Sequence, residues 1–84
     1  MAMFIKSNGE TKNVSPKNGN DYQLDELQNY VGGLIEIIHL GDNYIMVVNE
    51  EGLLNNLPLN INASVLSGMN IVGNVILCNE NEVK

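Results

Sequence analysis

Eighty-four residues with ten acidic side chains against four lysines and no arginine describe one small, acidic domain of net charge −6. Such a chain is unsuited to duplex nucleic acid, which is gripped largely by neutralising its phosphates, and it lacks the guanidinium fork that holds phosphate or carboxylate in two-point fashion. The single cysteine, Cys78, excludes an intrachain disulfide framework, and no apolar run reaches the length of a membrane span.

A reducing cytoplasm is the expected compartment, since the first residues lack the apolar core of a signal peptide. A chain this short buries a modest fraction of its surface, and self-association is a common source of the missing stability. Cys78 reads as a small buried apolar residue at a strand end.

In chain order, Met3-Phe4-Ile5-Lys6 reads as a first strand and Asn8-Gly9 as a turn, because both residues tolerate positive φ. Thr11 to Val14 returns as a second strand. The main helix starts at Asp21 or Gln23 and runs to about Val31, with Leu24, Leu27 and Val31 as one apolar stripe. Asp25 and Glu26 in its first turn suit the positive end of the helix dipole. Gly32 or Gly33 supplies the left-handed residue that stops it.

Leu34 to Leu40 is rich in β-branched residues and reads as a strand, followed by a three-residue hairpin loop, Gly41-Asp42-Asn43. Tyr44 to Val48 is continuously apolar, as expected of a central strand covered on both faces. Asn49-Glu50-Glu51-Gly52 is a turn, and Pro58 argues against a central strand over Leu53 to Leu59. Asn60 or Asn62 caps a short helical turn through Leu66 that stops at Gly68. Ile71 to Leu77 is the last strand, with Gly73 marking a bulge or a close backbone approach. Residues 79–84 read as a polar tail. The expected fold is α+β: a small, mainly antiparallel sheet with one main helix packed on it, in a single domain over 1–84.

Five segments in this order form a recognisable pattern: Leu27-Gln28-Asn29-Tyr30-Val31-Gly32-Gly33, Ile35-Glu36-Ile37-Ile38, Asn49-Glu50-Glu51-Gly52, Leu57-Pro58-Leu59-Asn60-Ile61-Asn62-Ala63 and Ile71-Val72-Gly73-Asn74. The chain resembles, from about Val14 to Leu77, the phage and mobile-element family known as domain of unknown function 3846. Asn74 departs from that pattern, which carries an acid after the glycine. The resemblance implies a phage or prophage origin in a Gram-positive host and brings no catalytic residue. By analogy alone, the chain is similar in size and simplicity to small phage proteins that capture nucleotide immune signals without cleaving them.

No catalytic constellation can be assembled from the residues. His39 has no second histidine or cysteine at metal-ligand spacing, and none of the serines sits in a nucleophile-elbow context. Neither a metal nor a cofactor is expected. Binding is the expected mode of action, and candidate ligand contacts follow from residue chemistry. Lys6, Lys12 and Lys17 lie close in sequence to the start of the main helix, whose free amides join a lysine in binding an anion. Tyr22 is the expected exposed ring for stacking on a base. Asn49 or Glu50 suits a ribose hydroxyl, and Asn60 a base edge, although helix capping also claims Asn60. The leading expectation is a non-enzymatic protein that sequesters a small nucleotide-derived host signal as a homo-oligomer in the host cytoplasm. The alternative is an acidic inhibitor or regulator docking on a basic host protein.

Overall fold

A computed structural model describes residues 2–83. Strands β1 (Ala2–Ile5) and β2 (Thr11–Val14) form the expected hairpin, turned by Gly9 at φ +96°. The Lys6 N–H donates to the Glu10 carbonyl at 2.8 Å, and the Glu10 N–H to the Asn8 side chain at 2.9 Å.

Helix α1 (Leu24–Val31) follows, with Gln23 as its N-cap residue. It stops at Gly32, whose φ of +84° is the left-handed conformation that only glycine adopts without strain, and whose N–H donates to the Gln28 carbonyl at 2.8 Å. Leu27 and Val31 are buried, but Leu24 at the N-terminal end of the expected stripe is 59% exposed. The inward position of the first turn belongs to Glu26 instead, for a reason that bears on the lysines below.

Strands β3 (Ile35–Gly41) and β4 (Tyr44–Asn49) form a second hairpin. Its turn is shorter than the expected three-residue loop. Asp42 and Asn43 both take positive φ (53° and 65°) and close a two-residue turn, while Gly41 stays in β3 beside a register shift after His39. Short polar side chains tolerate that conformation, which frees the glycine to serve the bulge. Helix α2 (Ile61–Ser67) is capped by Asn60, the first of the two expected caps, and ends at Gly68 as expected.

Strand β5 (Val75–Asn79) begins four residues later than the apolar run suggests. Gly73, at φ +78°, lies so close to Leu57 that a Cβ there would sit 2.8 Å from Leu57 Cδ1, and the backbone turns at that point before pairing starts. The sheet order is β2-β1-β5-β4-β3, antiparallel throughout, with the last strand in the middle. The architecture is therefore α+β, with α1 as the main helix packed on the sheet.

Alternation along the strands divides the interior in two. Ala2, Tyr22, Leu27, Val31, Ile45, Val47, Ile76 and Cys78 pack under α1. Ile5, Met46, Val48, Ala63, Ile71 and Val75 pack on the opposite face, under α2. Strand β4 supplies both, which is why its sequence is apolar without alternation. The expected polar tail is folded in as well: Glu80–Glu82 form a 3₁₀ turn, the Tyr22 N–H donates to the Glu82 carbonyl at 2.6 Å, and Val83 packs against the α1-side core. Lys84 lies outside the described residues.

Candidate functional site

The lysines, Tyr22 and Asn60 do not form a shared site. The start of α1 is already occupied by an anion from the chain itself. One carboxylate oxygen of Glu26 accepts from the Gln23 N–H (3.2 Å), and the other from the Lys17 N–H (3.1 Å). Glu26 is 4% exposed, so its carboxylate fills the place that an anion would take at this helix end. Lys6 is paired with Glu10 at 3.5 Å, and Lys12 stands exposed on edge strand β2.

Tyr22, the expected stacking ring, is 2% exposed and belongs to the core. Its centroid lies 6.4 Å from that of Tyr30, edge to face, and Tyr30 in turn is 4.8 Å from Phe4. The Tyr22 hydroxyl is buried without a hydrogen-bond partner among the described residues. Burial, and then the nearby Glu82 carboxylate, push its pKa well above the usual phenol value.

Asn60 is 1% exposed and fully used. Its side-chain oxygen accepts from the Ala63 N–H (3.0 Å), and its amide nitrogen donates to the carbonyls of Ile5 (3.0 Å) and Gly73 (2.8 Å). Both amide protons are committed, and burial closes the oxygen to a base edge. Asn49 is likewise a bracket: its amide donates to the Val31 carbonyl (3.1 Å) and its oxygen accepts from the Glu51 N–H (2.8 Å). Glu50 is exposed at the end of β4 and faces a hollow on the α2 side of the sheet, with Glu36, Leu53 and Met69.

A broad cleft lies elsewhere, at the C-terminal end of α1. It measures about 610 Å³, opens broadly to solvent, and is lined by Gln28, Asn29, Gly32, Gly33, Leu34, Asn49, Glu51 and Asn55. A second hollow of about 300 Å³ continues from it through the shared Asn29, Gly32, Asn49 and Asn55 to Ser7, Leu57, Pro58, Gly73 and Asn74. Ser7 also borders a third hollow that holds Lys6. The groove therefore runs from the end of α1 to the first hairpin. Its floor is fixed by the Asn49 bracket and by Asn74, whose side-chain oxygen accepts from the Ser7 N–H at 2.9 Å.

The chemistry of this groove is that of amides. The side chains of Gln28, Asn29 and Asn55 make no hydrogen bond among the described residues, and neither does the Glu51 carboxylate. Each amide offers both donors and an acceptor. Gln and Asn pair with adenine through two bonds at once, and a carboxylate is a common acceptor for ribose hydroxyls. No cation lines the two main hollows, so they suit a neutral polar group.

Of the expected contacts, the groove keeps Asn49 as floor and Lys6 beyond its far end. The sequence reading missed Gln28, Asn29, Glu51 and Asn55. The signal was present in part: Asn29 lies on the polar side of α1, and Asn55 in an amide-rich turn. No group of three or more His, Cys, Asp or Glu side chains placed to hold a metal ion occurs among the described residues. Cys78 is fully buried, and burial followed by the Glu82 carboxylate raises its pKa to about 11, which keeps it an unreactive thiol at neutral pH. No helix among the described residues is long and apolar enough to cross a membrane.

Fold and groove together define a small α+β protein with a polar, amide-lined cleft at one end of its sheet. The chain belongs to the family described as a domain of unknown function (DUF3846), which it matches over residues 2–84. No curated protein matches it, and no solved structure does. Four of the five segments that carry the resemblance supply groove residues: Gln28 to Gly33, Asn49 and Glu51, Leu57-Pro58 and Gly73-Asn74.

Proposed function

We propose that this protein binds a small nucleotide-type ligand without transforming it, holding the nucleoside part in the amide-lined groove. The observation that carries the reading is the set of uncommitted hydrogen-bonding groups there. Gln28, Asn29 and Asn55 face a cleft of about 610 Å³, within the roughly 300–1,000 Å³ usual for small-molecule sites. The Glu51 carboxylate suits a ribose, and a phosphate projects out of the groove to solvent or toward Lys6.

The biological role we attach to this is sequestration of a nucleotide-derived host immune signal by a phage or prophage protein acting as a homo-oligomer in the host cytoplasm. Its support is the family resemblance and the likeness in size to small signal-capturing phage proteins. Capture of this kind works by mass action, so affinity and abundance matter and turnover does not.

Isothermal calorimetry against cyclic dinucleotides and ADP-ribose derivatives tests the reading. At least one of them gives saturable heat, the ligand is recovered unchanged, and the Asn29→Ala/Asn55→Ala double variant binds about tenfold or more weakly. No heat across the panel removes the proposal.

A second reading, an acidic inhibitor docking on a basic host protein, is favoured by the net charge of −6. Its association rate falls as salt rises. Recovery of one host protein in a pull-down, with no heat from any nucleotide, decides for it.

A further inference from the structure

We infer that the outer face of α2 is the surface through which two copies of this chain pair. This names the contact behind the homo-oligomer in the functional reading and rests on that part of it alone. Only Ala63 of α2 is buried. Around it Leu53, Leu59, Ile61, Val65 and Met69 are each between 51% and 77% exposed. Leu59, Ile61, Val65 and Met69 border one hollow, and Met69 and Leu53 border the next, so the five form one continuous patch. Together they expose on the order of 600 Å² of surface, at the upper end of the largest patch on an ordinary monomer and matching one partner's share of the smallest stable interfaces.

Charge identifies the occupant. From Gly52 to Asn79 the chain has no charged side chain, although the rest carries all ten acids and all four lysines. Two copies at −6 each repel wherever their acidic surfaces meet. The five apolar side chains carry no charge, with Glu36 and Glu50 at the rim beside Leu53 and Met69, so this is where two copies can touch with few carboxylates in the contact, and salt screens the remaining repulsion over roughly 8–10 Å. A basic protein is drawn to the acids and has no counter-charge to meet on this face. An anionic membrane needs lysines or arginines around the apolar patch, and the hollows there hold Glu36 and Glu50. A second copy offers the same apolar surface, and a two-fold axis makes it self-complementary.

The test is sedimentation velocity over a concentration series, with native mass spectrometry. The wild-type chain gives a dimer whose dissociation constant falls as salt rises, because screening removes repulsion between copies. Ile61→Asp/Val65→Asp weakens the dimer roughly 30-fold or more, and circular dichroism reports it folded because both residues are exposed. Leu24→Asp, on the opposite side of the sheet, leaves the mass unchanged. A monomer at every concentration overturns the inference, as does a dimer indifferent to the double substitution. A monomer that binds neutral phosphatidylcholine vesicles through this face also overturns it. Calorimetry on the wild-type chain separates the readings: a monomer at every concentration that still gives nucleotide heat ends this inference only, and a dimer without heat ends the ligand assignment only.

Discussion

Along β4, Ile45 and Val47 look toward α1 while Met46 and Val48 look toward α2, and all four are at most 5% exposed. The covers above them differ. On one side α1 buries Leu27 and Val31 and is closed at its start by Glu26, and Tyr22 and Val83 complete the roof. On the other, α2 contributes Ala63, while Ile61, Val65 and Leu66 point outward. The α1-side core has the larger cover. The α2 side keeps the apolar surface that a folded monomer leaves available. The amide-lined groove lies at the end of α1, where the chain crosses between the two.

The contrast breaks most sharply at Leu27. Leu27→Ala removes a 1%-exposed side chain from the α1-side core and is expected to cost about 2–5 kcal/mol, read as a fall in the urea midpoint without a change in slope. A cost below about 1 kcal/mol would mean that α1 is not the stabilising cover.

Asn60 is where the thin side is anchored. Asn60→Ala removes the cap and leaves the buried carbonyls of Ile5 and Gly73 without their donor. About 2–4 kcal/mol is expected, measured in the same way. Asn60→Asp separates the two parts: it keeps the acceptor for Ala63 and turns a charge toward two carbonyls, so it is expected to be at least as damaging as alanine.

Alkali attacks the α1 side through Cys78. Its folded-state pKa is raised from 9.0 to about 11 by burial, so the native state holds the thiol proton more tightly than the unfolded chain. That contribution is fully present below pH 9 and is lost as pH rises toward 11. Urea midpoints measured across this window are expected to fall less steeply in Cys78→Ala than in the parent. At pH 8 a thiol reagent labels Cys78 only after unfolding, and rapid labelling of the native protein would contradict its burial.

Tyr22 tests the same core with the opposite sign. Its hydroxyl is buried without a partner, so Tyr22→Phe removes a desolvated polar group and loses no hydrogen bond. The expected result is a gain of up to about 1 kcal/mol in thermal or urea stability. A loss would show that a water or an unassigned group satisfies that oxygen.

These residues also show where sequence reading works. The stop at Gly32, the run from Tyr44 to Val48 and the cap at Asn60 were legible because each is set by neighbours a few residues away. Tyr22 was not, because its roof is built by Glu82 and Val83 from the far end of the chain. Leu24 was misplaced because the inward position of that turn went to Glu26, which answers the amides of Lys17 and Gln23. The groove was hidden for a related reason. Asn29, Asn49, Asn55 and Asn74 stand in four separate segments, and no local pattern says that they meet. Lysines, by contrast, advertise themselves, and they drew the anion reading to a helix end that the chain had already filled.

The smallest effect is expected on α2 itself. Leu66 is 55% exposed, so Leu66→Ala is expected to change monomer stability by no more than about 0.5 kcal/mol, against several for the same truncation at Leu27. The measurement belongs at protein concentrations low enough to populate the monomer, since pairing through this face adds a concentration-dependent term. Read that way, the two leucine-to-alanine costs compare the two covers directly. Were Leu66→Ala to cost as much as Leu27→Ala in the dilute monomer, α2 would be a packed roof, and its outer side chains would not be available to a second copy.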